Sequence, residues 1–378
     1  MYITRTIDIL NSLKQKTLFL FGPRQTGKTS IINKQLGNFR VYDMLDSDVY
    51  LTLSREPKRL EQDLQPKDKI IIIDEIQKLP FLLDEVHRII EKYKIHFLLT
   101  GSSARKLRRG GVNLLGGRAR SKYLHPLTFA ELESHFNLHK ALDRGLIPSI
   151  YFSDSPEEDL KAYANTYLKE EIAAEGLTRN IPAFSRFLQV AALCNGMMIN
   201  YTNISNDAQV PSSTVQEYFH ILRDTLIGFD VPAWKKTLKR KPISTSKFYF
   251  FDVGVVRYLQ NRSGLKKGSP EFGDAFETYM AHELRSYLDY KGVGELCYWR
   301  SKSGYEVDFV LNDEIAIEVK SKRNISSRDM KGLIALKEEK KLSKYTLVCM
   351  EERPRIVNGV HILPWEDFLN KLWNKDLV

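Results

Sequence analysis

Cysteine is scarce in this chain: Cys194, Cys297 and Cys349 are the only three in 378 residues, and no two stand close enough to form a Cys-x-x-Cys pair. That spacing excludes a zinc ribbon and a disulfide framework, and leaves the three as small buried apolar residues. Long apolar runs are missing too. The densest cluster, Ile70 to Ile73, suits a buried strand and falls far short of the ~20 residues that cross a bilayer. The first residues, MYITRTIDIL, lack the basic region, apolar stretch and small-residue cleavage site of a signal peptide. A cytoplasmic protein with no membrane partner is expected.

Acid is absent from two segments. Ser103 to Lys122 carries Arg105, Lys106, Arg108, Arg109, Arg118, Arg120 and Lys122; Lys235 to Lys247 carries Lys235, Lys236, Lys239, Arg240, Lys241 and Lys247. With a formal net charge of +10, these clusters suit a polyanion, nucleic acid and DNA in particular. A solvated basic face is the plainer alternative. The composition, 43% apolar and 28% charged, is that of a globular protein, and the length calls for two or three domains.

TLFLF at 17–21 reads as a short buried strand, GPRQTGKT as a turn, and SIINKQL as the start of a helix. Further strands are expected at Phe39 to Tyr42, in KIIIIDE and in HFLLT, with a helix from Phe81 to Tyr93 whose Leu82, Val86, Ile89 and Ile90 recur at helical spacing. Alternating strands and helices imply a parallel sheet covered on both faces. From Pro126 to Thr178 the texture is helical, with breaks near Gly145 to Pro148 and at Ser155-Pro156. Short helices follow over 184–227. Strand signals return in FYFFDV, CYWR, EVDFVL, IAIEVK and TLVCM, a second α/β unit.

Gly22, Pro23, Arg24, Gln25, Thr26, Gly27, Lys28 and Thr29 match the phosphate-loop pattern GxxxxGK[ST], with Ser30 next in the helix. The two glycines let consecutive N–H groups turn inward, and the following helix offers its positive end to the same anion. Lys28 is expected on the outer phosphates of ATP, and the Thr29 hydroxyl on Mg2+. Asp74, at the end of IIIIDE, would hold the magnesium through water or Thr29, and Glu75 would orient and activate the attacking water. Arg118 and Arg120, in GGRAR, are candidates for an arginine finger within the subunit or across an interface of a homo-oligomer.

GPRQTGKT, IIIIDEIQKLP, LLTGSSARKL and GGRARSKYLHPLTFAEL together resemble the bacterial and archaeal AAA+ ATPases that carry a C-terminal domain of unknown function. KFYFFDVGVVRYL, FGDAFETYMAHEL and EVDFVLNDEIAIEVKS extend the resemblance over nearly the whole chain, most loosely in the helical middle. It implies an α/β multidomain protein: a P-loop AAA+ parallel sheet with helices on both faces, a helical lid and winged-helix middle, and a C-terminal domain similar to PD-(D/E)XK nucleases. The expected boundaries are 1–125 for the ATPase core, 126–183 for the lid, 184–243 for the winged-helix region and 244–378 for the nuclease-like domain. In AAA+ ATPases a polar residue at the end of the HFLLT strand senses the γ-phosphate or the attacking water; Ser102 is the first choice and Thr100 the second.

In the middle, NISNDAQVPSSTVQEYFHILRDTLI reads as a helix, a break near Val210-Pro211, and a second helix with Val215, Tyr218, Phe219 and Leu222 inward. Ser213, Thr214, Gln216 and Glu217 would face out or into a DNA groove, with the basic stretch after Trp234 available for phosphates; a protein-binding winged helix that never touches DNA is the alternative. Near the C-terminus, strand alternation puts Glu306 and Asp308 on one face of EVDFVL and Glu318 and Lys320 on one face of IAIEVK. A turn between them would bring Asp308 beside Glu318 and Lys320. Two carboxylates can hold a hard cation such as Mg2+, and Lys320 would help neutralise a phosphoryl transition state. Glu277, in FETYMAHEL, matches the upstream acid of the nuclease group, with Glu283 the second choice. The alternative is an Asp–Lys–Glu ion cluster in a degenerate domain that only binds DNA or protein.

Overall fold

The computed structural model describes residues 2–103, 115–168 and 180–377. Arg105, Lys106, Arg108 and Arg109 of the first basic stretch lie outside the described residues. The chain divides into two compact units, Met1–His125 with Asp224–Ile227, and Pro126–Arg223 with Gly228–Val378.

In the first unit, β1 (Thr17–Phe21), β2 (Arg40–Asp43), β3 (Ile70–Asp74), β4 (His96–Gly101) and β5 (Ala119–Tyr123) form one parallel sheet in the order β2-β3-β4-β1-β5. The central strands are mostly apolar and buried at nearly every position because both faces are covered. Phe19, Phe21, Ile71, Ile73, Phe97 and Leu99 pack under α4 (Leu82–Tyr93), whose Leu82, Leu83, Val86 and Ile89 are fully buried. α1 (Leu10–Gln15) packs against β1 and β4. α2 (Lys28–Gln35) follows β1, and α3 (Ser47–Arg55) is capped by the Asp46 carboxylate, which accepts from Asp48 and Val49 N–H. The strand order reverses between β1 and β4, so loops leaving the carboxyl ends of these two strands open a crevice, the usual ligand position in such a sheet. β5 was not expected as a strand. ARSKY is too polar to read as one, and it is tolerated because it lies at the sheet edge.

The second unit opens with short helices, among them α5 (Leu138–Arg144), and continues with α6 (Ile181–Leu193), β6 (Met197–Met198), α7 (Tyr201–Ala208), α8 (Ser212–Asp224), β7 (Gly228–Val231) and β8 (Lys247–Phe250). β8 is the centre of an antiparallel three-stranded sheet, order β6-β8-β7. Gln209, at φ +52, ends α7, and Val210-Pro211 makes the break before α8. Val215, Tyr218, Phe219 and Leu222 are buried as the periodicity required, and Phe219 stacks edge-on against Phe248. β8 lies beyond the expected boundary at 243, because the sheet needs it as its middle strand.

The long loop between β7 and β8 is not free. Ala233 bridges to Tyr298 and Pro242 to Ser301; Trp234 is buried in the C-terminal core. Its indole N–H and the Lys236 ammonium both donate to Asp313, at 2.6 Å each. Arg240 pairs with Glu338 and Glu339. The expectation that this stretch offers its cations to phosphate is therefore corrected for Lys236 and Arg240, which are neutralised by neighbouring acids, while Lys247 is buried.

α9 (Val253–Leu259) and the 22-residue α10 (Pro270–Lys291), capped by Ser269, lead into a mixed six-stranded sheet. Its strands are β9 (Leu296–Arg300), β10 (Glu306–Leu311), β11 (Ile315–Val319), β12 (Lys344–Cys349), β13 (Arg355–Val357) and β14 (Val360–Pro364), in the order β13-β14-β12-β11-β10-β9. β10 and β11 are antiparallel, joined by a turn in which Asn312 and Asp313 both take positive φ. α11 (Lys331–Lys337) packs on β10, β11 and β12, and α12 (Trp365–Trp373) on β12 and β14. Among the described residues, no helix is long and apolar enough to cross a membrane.

Candidate nucleotide and cation sites

The phosphate loop runs from the end of β1 to the start of α2. A side chain at Gly22 would put Cβ 2.4 Å from the Leu124 carbonyl oxygen, and Gly27 holds φ +100. Steric room and backbone conformation each demand a glycine here. The Lys28 ammonium is buried and donates to the carbonyls of Gly22 (2.7 Å) and Pro23 (3.1 Å). Thr26 Oγ1 also donates to the Pro23 carbonyl, at 2.8 Å. Arg24 and Gln25 form the outer turn of the loop, and Ser30 is exposed in the first turn of α2. From outside, the buried Arg5 guanidinium donates to the Thr26 carbonyl (2.6 Å) and the His125 carbonyl (2.7 Å), bracing the loop. Nothing in the sequence around Arg5 signalled that role.

Across the crevice, the Thr29 hydroxyl donates to Asp74 Oδ2 at 2.9 Å. Asp74 is 2% exposed. Two hard oxygen donors meeting at the mouth of a phosphate loop fit magnesium. Thr100 Oγ1 donates to Asp74 Oδ1 and accepts from the Glu75 N–H at 3.1 Å. Glu75 itself sits at φ +59, a left-handed conformation that costs a non-glycine residue about 1 kcal/mol or more. Its carboxylate accepts from the Gln77 amide, which also lies 3.5 Å from Ser102 Oγ. Of the two sensor candidates, then, Thr100 touches Asp74 and Ser102 reaches Glu75 only through Gln77.

Arg118 and Arg120 stand elsewhere. In the register of β5 on β1, Ala119 pairs with Thr17, at the opposite end of the strand from the phosphate loop. Some five residues of strand, roughly 16 Å, separate the two ends. Arg118 pairs with Glu91, and Arg120 donates to Gln15 at 3.3 Å. A finger acting on this loop from within the same subunit is excluded by that register.

In the second unit, β10 and β11 bring Asp308 and Glu318 side by side. The Val319 N–H donates to Asp308 Oδ2 at 2.9 Å. Lys320 Nζ lies 2.5 Å from Glu318 Oε1 and 3.9 Å from Asp308 Oδ2. Burial, and then Asp308, push the Glu318 carboxyl up from the ordinary range. Burial alone would lower the Lys320 ammonium, but Asp308 and Glu318 outweigh it and hold it high. Glu318 Oε2 is buried without a hydrogen-bond partner. An orphaned carboxylate oxygen beside a second carboxylate fits a divalent cation held by two protein ligands. Among the described residues, no group of three or more His, Cys, Asp and Glu side chains gathers as a metal cage.

Asp308 opens onto a cavity of about 440 Å³ that Glu277, Glu306, Arg300, Lys247 and Tyr249 also line. Tyr249 donates to Glu277 Oε1 at 2.6 Å. Lys247 Nζ lies 2.7 Å from Glu306 and 3.6 Å from Glu277, and Arg300 lies 3.2 Å from Glu306. Sequence reasoning missed Lys247, Tyr249 and Arg300. The one signal was a lysine opening the apolar strand KFYF, two residues from a tyrosine on the same face. Glu283 is not in this cavity. It is fully buried, accepting from the Phe129 N–H and the Trp373 indole, each at 2.8 Å.

Comparison with known proteins matches three stretches of the chain: residues 14–133 to an AAA domain, 135–266 to a domain of unknown function (DUF8612) and 272–368 to another (DUF4143). An uncharacterized protein of Haemophilus influenzae is 22% identical over 384 residues, covering 92% of each chain. Among solved structures, the ORC1 protein of Aeropyrum pernix in complex with DNA overlaps 65% of this chain and 86% of its own, at 15% identity and a TM-score of 0.24. That overlap leaves the fold to be argued from the sheet itself. The phosphate loop, the Asp74–Glu75 pair and the β2-β3-β4-β1-β5 sheet all fall within residues 14–133, and this AAA domain supports an ATPase of the AAA+ type.

Proposed function

We propose that the protein is a magnesium-dependent ATPase whose nucleotide cycle controls a DNA-directed, nuclease-like module in its C-terminal half. The observation that carries the ATPase reading is the Thr29–Asp74 contact at 2.9 Å, which joins the phosphate loop to the acidic end of β3. Magnesium, held by Thr29 and Asp74, would neutralise phosphate oxygens. Lys28 exchanges its loop carbonyls for the outer phosphates, and the N-terminus of α2 receives the anion. Thr100 fixes both Asp74 and the backbone of Glu75. Glu75, freed from Gln77, orients the attacking water and takes its proton on the carboxylate.

The DNA-directed part rests on the net charge of +10 and on the order of elements from α6 to β8: helix, strand, helix, turn, helix, strand, long loop, strand. That order is the one a winged helix uses, with α8 as its recognition helix. In the C-terminal module Asp308 and Glu318 would hold a divalent cation, and Lys320 would neutralise the charge that develops at the scissile phosphate. Charge compensation of these carboxylates by lysines favours a second reading, a nucleotide-gated binding switch whose C-terminal domain cuts nothing.

Both readings are separated by one set of reactions. Labelled linear, branched and supercoiled DNA is incubated with Mg2+ or Mn2+, with and without ATP, for wild type, Lys28→Ala and Asp308→Ala. ATP hydrolysis is followed alongside, with Glu75→Gln as a further variant. Hydrolysis is expected to drop at least about 100-fold in Lys28→Ala and Glu75→Gln. Cleavage lost in Asp308→Ala supports the nuclease-like module; cleavage absent throughout supports the switch. DNA that changes neither ATPase rate nor nucleotide affinity would sink ATP-controlled DNA handling in either form.

A further inference from the structure

Lys247 is the first residue of β8 and is 4% exposed. A buried lysine is rare unless paired, because the desolvated charge is costly. This one lies between Glu277 on α10 and Glu306 on β10, and over the Tyr298 ring at 5.4 Å. Burial alone would lower its affinity for the proton, but Glu277, Asp308 and Glu306 outweigh burial and keep it charged. Tyr249, two residues along and on the same face of the strand, donates to Glu277 at 2.6 Å. Gly196, at φ +75, runs so close that a Cβ there would lie 3.3 Å from the Tyr249 ring and 3.6 Å from Glu277 Oε1. One strand of the small sheet therefore grips Glu277 twice, and its backing loop leaves that carboxylate little room.

We infer that Lys247 is a positioning residue of the C-terminal site: its ammonium occupies the acidic cavity as a built-in cation and withholds Glu277 from the Asp308–Glu318 pair. The inference rests on the reading of Asp308 and Glu318 as cation ligands. The cavity is lined by the acids Glu271, Asp274, Glu277, Glu306 and Asp308 and by the cations Lys247, Arg257, Arg262 and Arg300, with the Lys320–Glu318 pair beside Asp308, so protein cations already meet most of the acidic charge. An incoming divalent ion has to work against Lys247. The strand that delivers Lys247 is also the one on which α8 rests: Phe248, pointing the other way, packs on Phe219 of α8 at 4.8 Å, and Arg223 lies over Phe248.

The test is calorimetric titration of the full chain with Mn2+, counting only the heat that Asp308→Ala removes. Lys247→Met deletes the charge and keeps the apolar stem. It is expected to bind Mn2+ at least about tenfold more tightly than wild type, because a positive charge a few ångströms from the ion is gone. Adding Glu277→Gln should cancel the gain, and Lys247→Arg should show none. Should Lys247→Met fail to fold, Tyr249→Phe releases one of the two holds and should tighten binding by about threefold. Wild-type binding that depends on Asp308 but is unchanged or weakened in Lys247→Met, or in Tyr249→Phe if that variant has to serve, overturns the inference and leaves the cation site standing. Absence of Asp308-dependent heat in every protein overturns both.

Discussion

At the scale of single residues, the phosphate loop and Glu283 give opposite uses of burial. Gly22 has no space for a methyl group beside the Leu124 carbonyl. Gly22→Ala is expected to weaken ATP binding at least about tenfold, read by nucleotide titration, because the loop must shift before its N–H groups can converge. Glu283 has partners but no exposure to solvent. Burial pushes its carboxyl up to about 7 from an ordinary 4.5, with the Phe129 N–H and the Trp373 indole pulling partly back. The folded protein keeps a proton that the unfolded chain gives up. Its contribution to stability is complete below about pH 4.5 and is lost as pH rises through about 7, a difference of roughly 3 kcal/mol. All four tryptophans, Trp234, Trp299, Trp365 and Trp373, belong to the second unit, so their fluorescence follows its unfolding. Between pH 5 and 8 the wild-type melting temperature should fall relative to Glu283→Gln. Parallel curves would refute the assignment.

Among the elements, the loop between β7 and β8 depends on one acid. Glu339 is 4% exposed and accepts from the backbone N–H groups of Leu238 (2.7 Å), Lys239 (2.8 Å) and Arg240 (3.1 Å). Glu339→Ala leaves three donors facing a cavity and should cost about 2 kcal/mol. Limited trypsin digestion should then cut first at Lys239, Arg240 or Lys241, where wild type resists. The loop also shows where sequence reading stops. β1, β3, β4, β10 and β11 were legible because each holds a β-branched or apolar run or alternates polar with apolar residues, and α8 because Val215, Tyr218, Phe219 and Leu222 repeat at helical spacing. β5 and β13 were not, since an edge strand needs no apolar pattern. The Lys235–Lys247 stretch read as a polyanion surface because the acids that pair with its Lys236 and Arg240, namely Asp313, Glu338 and Glu339, are about 80 to 100 residues further on. In the candidate sites, the phosphate loop and Asp74 follow from local spacing, whereas Gln77 at Glu75 and Lys247 at Glu277 follow only from packing.

At the scale of the whole chain, the first unit takes back four residues, Asp224–Ile227, after nearly a hundred spent in the second. Leu226 packs against the core of the parallel sheet, Ile227 is 2% exposed, and Ser103 Oγ donates to the Asp224 carbonyl at 3.2 Å. Ile227→Ala is expected to destabilise the first unit by about 2–4 kcal/mol, measured as a lower temperature at which ATP hydrolysis is lost. An unchanged inactivation temperature would count against it.

The same return sets an order of manufacture. A ribosome adding roughly 5–20 residues each second needs some 5–20 seconds to go from His125 to Asp224. Over that interval the nascent phosphate loop belongs to an unfinished unit whose last piece has not been made. The ATPase unit can be completed only once α8 has been synthesised, so its full stability arrives together with the helix it is proposed to control.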